Sequence, residues 1–153
     1  MPSIITDAFQ EWNVNKILAR EPATPDRMIF ALIPGQDANA EIDPGEGMPD
    51  ASQIVYSTGF TRMGKLNENA VVYSVVLDTT IGNWSYNWVG ITDSATGTVL
   101  MIVHCDEQKK IKTACGVQGN NLIRNITMEF AGAAEATQIT VTPETWQIDY
   151  SAR

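Results

Sequence analysis

The most apolar run in the chain is Ala70-Val71-Val72-Tyr73-Ser74-Val75-Val76-Leu77, and it is the clearest indication of the fold class. A membrane span needs about 20 apolar residues, so this run is too short to cross a bilayer but suits a buried β-strand. The whole chain shares its bias, with 15 Ile, 11 Val and 15 Thr among 153 residues. Because β-branched side chains pack well on a pleated surface, this composition favours a sheet domain over a helical bundle.

Further strand patterns lie on both sides of this run. They cover residues 28–33, 53–61, 85–91, 99–104, 122–130 and 138–141. Turn-forming Asn, Gly, Asp and Ser residues separate most of them, and such short connections favour antiparallel neighbours, since a parallel crossover needs about a dozen residues. The chain length fits one core. We therefore predict a single domain over residues 1–153, of class α+β, with a predominantly antiparallel sheet.

The N-terminal residues predict one helix. Asp7 and Gln10 have the spacing of a capping box, and the segment runs to Arg20, before Glu21-Pro22 ends it. Trp12 lies outside the apolar arc of this helix, so it is either a second contact or an exposed anchor. The apolar arc, which predicts the buried face, contains Phe9, Val14, Ile17 and Leu18.

Residues 34–50 have no periodic pattern and combine three prolines, three glycines and five acids. We call this segment the acidic loop. Seventeen irregular residues are long for an incidental connection, and such loops are usually functional or disordered. The first fifty residues hold nine acids and three bases, so most of the net charge of −8 lies there, chiefly in this loop. A negative net charge disfavours a nucleic-acid or anionic-membrane partner.

Catalytic and metal-binding patterns are weak. The only histidine, His104, precedes Cys105 on a predicted strand, where neighbouring side chains point to opposite faces. Asp37-Ala38-Asn39-Ala40-Glu41 alternates like a calcium loop but lacks the glycine and the final Glu that an EF-hand needs. We expect no enzyme activity, no metal site and no cofactor. We expect Cys105 and Cys115 to be buried free thiols, with a disulfide between them as the alternative.

Tyr86 and Trp88 alternate along one face of the strand predicted at 85–91, and Trp84 joins them if the strand extends that far. In a sheet such a stripe is more often core than binding platform, yet with nearby asparagines it could also hold a sugar. A carbohydrate-binding or host-adhesion module is therefore the alternative function. The one basic run, residues 109–112, is expected to be a solvated loop or half of an electrostatic contact.

Longer segments carry a pattern that extends along essentially the whole chain. They are IPGQDANA (33–40), IDP (42–44), NAVVYSVVLDTTIG (69–82), WVGI (88–91), KIKTA (110–114) and AAEATQITV (133–141). Together they closely resemble the N-terminal domain of phage tail-collar fibre proteins, which belong to contractile-tailed phages and have relatives in pyocin-like particles. Members of that family open with a short strand and a helix ahead of the first long strand, and the helix predicted before Pro22 fits this order.

The resemblance implies a structural virion protein that attaches a phage tail fibre to the tail baseplate, after synthesis in the bacterial host cytoplasm. The implied partners are a tail baseplate protein and sister fibre chains in a homotrimer, without nucleic acid and without membrane insertion. Residues 1–153 show neither shaft repeats nor a receptor-binding tip. We therefore expect a fragment of a longer fibre rather than a short adaptor.

For the docking contact we select residues that combine polarity or aromatic area with the absence of a core pattern. They are Trp12 on the helix and Gln36, Asp37, Asn39, Asp43 and Glu46 in the acidic loop. We also expect that residues 37–47 can be deleted without unfolding the domain.

Overall fold

The computed structural model describes residues 3–129, which form one helix and two antiparallel sheets. In chain order the elements are β1 (Ser3–Ile5), α1 (Asp7–Leu18), β2 (Arg27–Ala31), β3 (Ile54–Thr58), β4 (Arg62–Asn67), β5 (Ala70–Leu77), β6 (Trp84–Asp93), β7 (Thr98–Lys110) and β8 (Leu122–Glu129). The predicted α+β class with predominantly antiparallel strands is confirmed. The strand predicted at 138–141 lies outside the described residues.

Five strands form sheet A, in the order β1-β7-β6-β2-β3, and three form sheet B, in the order β4-β5-β8. The apolar run at residues 70–77 is β5, the middle strand of sheet B. Val71, Tyr73 and Val75 are buried in one core cluster, as the period of two in a strand requires when one face meets another layer. The central position of β5 explains why its pattern is the clearest in the chain.

The main core lies between the two sheets and includes the buried face of α1. Met28 and Phe30 from sheet A join Tyr73 and Val75 from sheet B in this cluster. Phe30 meets the ring of Tyr86 edge-on, with the ring centroids 5.1 Å apart. Edge-to-face pairs of this kind contribute about 0.5–1.5 kcal/mol beyond their buried area.

A second apolar cluster includes the remaining side chains of β2. Ile29 and Ala31 alternate with the two β2 residues of the main core, so they point to the opposite face of sheet A. Ile42, in the middle of the acidic loop, packs into this second cluster and is only 7% exposed. The acidic loop therefore covers the outer face of sheet A.

An irregularity in the pairing of β6 with β7 divides the predicted aromatic stripe. Tyr86 pairs with Gln108 and Trp88 with His104, so β7 has two more residues than β6 across this interval, and the regular alternation of faces is interrupted there. Tyr86 accordingly lies in the main core and Trp88 in the second cluster. The prediction that these side chains share one strand face is wrong, although the prediction that they belong to the core is confirmed.

The helix differs from its prediction at both ends. It ends at Leu18 rather than Arg20, and Thr6 occupies the N-cap without a side-chain cap. The Thr6 hydroxyl instead donates to the carbonyl oxygen of Val99 at 2.6 Å, so it joins the chain before α1 to β7. No helix among residues 3–129 is long and apolar enough to span a bilayer.

The buried face of the helix also differs from the predicted arc. Phe9 and Trp12 are the buried side chains of α1, with ring centroids 5.8 Å apart. Val14, Ile17 and Leu18 are 53%, 55% and 76% exposed. The predicted arc is confirmed for Phe9 and wrong for the other three residues, because Phe9 packs on the core together with Trp12, which the arc left out.

Candidate docking site

The start of the acidic loop is fixed to β6 by two amide side chains. The Asn87 side chain accepts from the Ile33 backbone N–H at 2.8 Å and donates to the Ile33 carbonyl oxygen at 2.9 Å. Gln36 Nε2 donates to the Asn87 carbonyl oxygen at 2.6 Å. The Asn87 side chain thus accepts from and donates to the Ile33 backbone, as the backbone of a neighbouring strand would. Asn87 and Ile33 are 54 positions apart in sequence.

Glu46 fixes the far part of the loop to sheet A. Its Oε2 accepts from Trp88 Nε1 at 2.7 Å and lies 3.1 Å from His104 Nε2. The buried His104 and Trp88 therefore share one carboxylate oxygen from the loop. His104, which the sequence leaves without a catalytic partner, makes a structural contact at this position.

Two aspartates shape the backbone of the loop. Asp37 Oδ1 accepts from the Asn39 backbone N–H, and Asp43 Oδ1 accepts from the Gly45 backbone N–H, both at 2.9 Å. Such Asx turns stabilise tight bends without regular secondary structure. The Pro44 carbonyl oxygen accepts from the N–H of Asp7 at 2.9 Å, so the loop also contacts the first residue of α1.

Four carboxylates of the loop point to solvent. Asp37, Glu41, Asp43 and Asp50 are exposed. None of them has an ion pair with a base among residues 3–129. We call these four residues the acidic rim. Their negative charge is available to a partner, while the backbone that carries them is held in place.

The selected docking residues therefore divide into two groups. Asp37, Asn39 and Asp43 are exposed, while Gln36 and Glu46 are partly buried and make the internal bonds described above. Trp12 is 5% exposed, so the structure resolves the sequence alternatives in favour of an internal contact and against an exposed anchor.

The internal contact of Trp12 is with Asp93, at the end of β6. Trp12 Nε1 donates to Asp93 Oδ2 at 2.8 Å, and the Lys16 ammonium lies 3.7 Å from the same oxygen. Lys16 also bonds to Glu21 at 3.2 Å, and this bond is the main cause of a raised pKa of Lys16. These contacts set the rotation of α1 about its axis.

The structure argues against a dispensable loop. Deleting residues 37–47 would remove Ile42 from the second apolar cluster and Glu46 from Trp88 and His104. Trp88 and His104 would then be left with unpaired polar atoms, and a buried group without its partner costs about 1–3 kcal/mol. We expect the deletion to destabilise the domain, contrary to the expectation from the sequence.

Lys110 is the largest departure from the predicted solvated basic run. It is 0% exposed at the end of β7, and its ammonium group donates to the carbonyl oxygens of Ile81, Ile111 and Asn120 at 2.6, 3.2 and 2.7 Å. Burial lowers the pKa of Lys110. The side chain joins two connecting segments, the one between β5 and β6 and the one between β7 and β8. Nothing in a single sequence distinguishes it from its exposed neighbours Lys109 and Lys112.

The two thiols are free but differ in environment. Cys105 is buried, as predicted, and burial raises the pKa of its thiol. Cys115 is exposed in the turn closed by Ala114 and Val117, so its predicted burial is wrong. Within residues 3–129 there is no group of three or more His, Cys, Asp or Glu that could hold a metal ion.

The alternative carbohydrate site has no exposed aromatic platform on β6. Tyr86 and Trp88 are buried, and the partly buried Trp84 stacks on Tyr56 with the ring centroids 5.1 Å apart. A sugar therefore cannot stack on these rings in the folded domain without displacing core side chains.

The fold and the site together define a structural domain that presents a held acidic loop on the outer face of a sheet. Residues 1–153 match the family described as Phage tail-collar fibre protein, N-terminal. The chain is 37% identical over 153 residues to "Probable tail fiber protein" of Haemophilus phage HP1 (strain HP1c1), covering 100% of this chain and 16% of that protein. The chain belongs to the phage tail-collar fibre family. No solved structure matches it.

Proposed function

We propose that this domain attaches a phage tail fibre to the tail baseplate of the virion, and that the acidic rim docks on a basic surface of a baseplate protein. The observation that carries the proposal is the combination of exposed carboxylates with a firmly held backbone. Asp37 and Asp43 face solvent while their own side chains brace the bends that carry them.

A held loop favours binding for a thermodynamic reason. Ordering a mobile segment on association reduces affinity, and a preorganised segment avoids that cost. Unpaired carboxylates also attract a cationic partner and orient it during encounter. Both effects fit an attachment surface that must recognise one partner during assembly.

The proposal assigns the domain no catalytic role. In the assembled fibre it acts beside sister chains in a homotrimer, and the partner across the docking surface is a baseplate protein. Family membership supports a location in the virion tail. No observation in residues 3–129 favours the carbohydrate-binding or host-adhesion alternative.

The test is incorporation of the fibre into particles. In the full-length fibre, Asp37→Asn together with Asp43→Asn removes two rim charges and keeps the side-chain oxygens that accept the turn hydrogen bonds. The matched control, Asp106→Asn with Glu107→Gln, removes two charges from exposed positions on β7. We expect incorporation to fall severalfold in the rim variant and to stay normal in the control.

Incorporation of the rim variant at the level of the control would contradict the assignment of the rim. Thermal unfolding of both variants checks that any loss is not caused by misfolding. Raising the ionic strength during assembly in vitro should weaken attachment of the unaltered fibre, because salt screens exposed charges.

A further inference from the structure

Three apolar side chains of α1 lie together on its solvent side. Val14, Ile17 and Leu18 have the spacing i, i+3, i+4, which places them next to one another on a helix surface. Each is more than half exposed. We call them the helix ridge. Single exposed apolar residues are normal, but a contiguous group is typical of an interaction surface.

The exposure of the ridge is fixed by contacts elsewhere on the helix. Phe9 and Trp12 fill the opposite face, and the bond from Trp12 Nε1 to Asp93 holds the helix in this rotation. Turning the ridge inward would break that bond and remove two aromatic side chains from the core. The domain therefore presents the ridge to solvent as a consequence of its own packing.

The helix that carries the ridge touches the acidic loop at its N-terminal end. The backbone N–H of Asp7, the first residue of α1, donates to the Pro44 carbonyl oxygen, and Val14 lies seven residues further along the helix, a rise of about 10 Å. Asp7 and Glu11 are exposed, and Glu11 precedes Val14 by three residues, so it is next to the ridge on the helix surface. Exposed carboxylates of α1 therefore lie between the ridge and the contact with the loop.

The bases near the ridge do little to offset this negative charge. Lys16 is bonded to Glu21 and Asp93, which neutralise its ammonium group. Arg20 is exposed two residues after Leu18, which leaves four acids on or near the helix, Asp7, Glu11, Glu21 and Asp93, against the two bases Lys16 and Arg20. A partner that covers the ridge therefore also meets a surface with an excess of carboxylates.

We propose that the helix ridge and the acidic rim form one continuous docking surface, occupied by an apolar groove with a basic border on the baseplate protein. The inference rests on the proposed attachment function and names the chemistry of its partner. A helix that presents i, i+3 and i+4 anchors is a recurrent mode of binding to apolar grooves. An apolar centre with a charged border is also the usual anatomy of a protein interface.

Charge selects this occupant over the alternatives. If the same surface of a second copy covered the ridge, its carboxylates would face those of the first copy, and like charges repel across an interface. An anionic lipid surface would be repelled for the same reason. A partner with a basic border is attracted instead, so the observed charges favour a different protein.

The experiment changes two ridge residues in the full-length fibre. Ile17→Gln with Leu18→Gln removes the apolar anchors and keeps good helix formers, since Gln has a helix propensity similar to Leu and better than Ile. The matched control, Leu66→Gln with Val117→Gln, changes two exposed apolar residues outside α1. We expect incorporation to fall at least about tenfold in the ridge variant, as for a central interface residue, and to be unchanged in the control.

Three outcomes would contradict the proposal or the attachment function on which it rests. Normal incorporation of the ridge variant, while Asp37→Asn/Asp43→Asn is defective, would refute the ridge and leave the proposed function intact. Normal incorporation of a fibre that lacks residues 1–129 would refute the attachment function itself. Self-association of the 153-residue chain in sedimentation, abolished by Ile17→Gln/Leu18→Gln, would identify a second copy as the occupant and overturn the proposal.

Discussion

The helix α1 and the acidic loop place their side chains in opposite ways. The helix is regular, yet it turns Val14, Ile17 and Leu18 to solvent. The loop is irregular, yet it sends Ile42 into an apolar cluster and Glu46 to two buried ring nitrogens. In each segment the contact that decides the arrangement comes from a distant strand.

This difference shows that regular structure is a poor guide to what a segment contributes. The loop stabilises sheet A because it covers the outer face of that sheet, whereas the three ridge side chains of the helix are each more than half exposed. What both segments share is an exposed surface held by internal hydrogen bonds.

The largest expected effect is a difference in stability between two isoleucine variants, one in the loop and one on the helix. Ile42→Ala should lower the free energy of unfolding by about 2–4 kcal/mol, because it removes buried apolar volume under the loop. Ile17→Ala on the helix ridge should change it by less than about 0.5 kcal/mol. Urea unfolding of both variants measures the difference, and equal values would refute the contrast.

The next effect concerns the carboxylate that anchors the loop. Glu46→Ala should cost about 1–3 kcal/mol, because Trp88 Nε1 and His104 Nε2 lose their shared acceptor in a buried setting. Glu41→Ala, at an exposed rim position, is the control and should be nearly neutral. A neutral Glu46→Ala in thermal and urea unfolding would show that the anchor is not needed.

A smaller effect is expected where the helix is held. Trp12→Phe keeps an aromatic ring but removes the N–H that bonds to Asp93, so it should cost about 1–2 kcal/mol. Amide hydrogen exchange should rise in α1 more than in sheet B. An unchanged exchange rate in α1 would indicate that ring packing alone sets the rotation of the helix.

The smallest effect is expected on the ridge. Ile17→Gln/Leu18→Gln should change the free energy of unfolding by less than about 0.5 kcal/mol, since surface substitutions without internal contacts are usually near neutral. Circular dichroism and urea unfolding are sufficient to check it. A cost above about 1 kcal/mol would mean that the ridge supports the fold and is not reserved for a partner.

Strands with a strong apolar pattern could be predicted from the sequence. The prediction for 70–77 coincides with β5, and that for 122–130 is one residue longer than β8. The sequence does not predict the short β1 or the polar β4, because neither contains enough apolar residues to form a strand pattern. The predicted strand at 99–104 continues in fact to Lys110, through exposed polar residues that carry no pattern.

The sequence locates the candidate site but does not show which of its side chains face the core and which face solvent. Proline, glycine and acidic residues marked the acidic loop correctly as a distinct segment. Which side chains face inward depends on partners 42 to 58 positions away, as for the pairing of Glu46 with Trp88 and His104. Periodicity carries no information about such long-range bonds. The sequence therefore predicts Gln36, Glu46 and Trp12 as docking residues, although each makes an internal contact.

The most direct test of the central claim is carboxylate footprinting of assembled particles. A carbodiimide with a small amine labels exposed Asp and Glu side chains in the free 153-residue chain and in particles that carry the fibre. We predict that Asp37 and Asp43 label more slowly in particles, while Asp106 and Glu107 label equally in both. Equal labelling of all four residues, or protection of Asp106 and Glu107 alone, would contradict docking through the acidic loop.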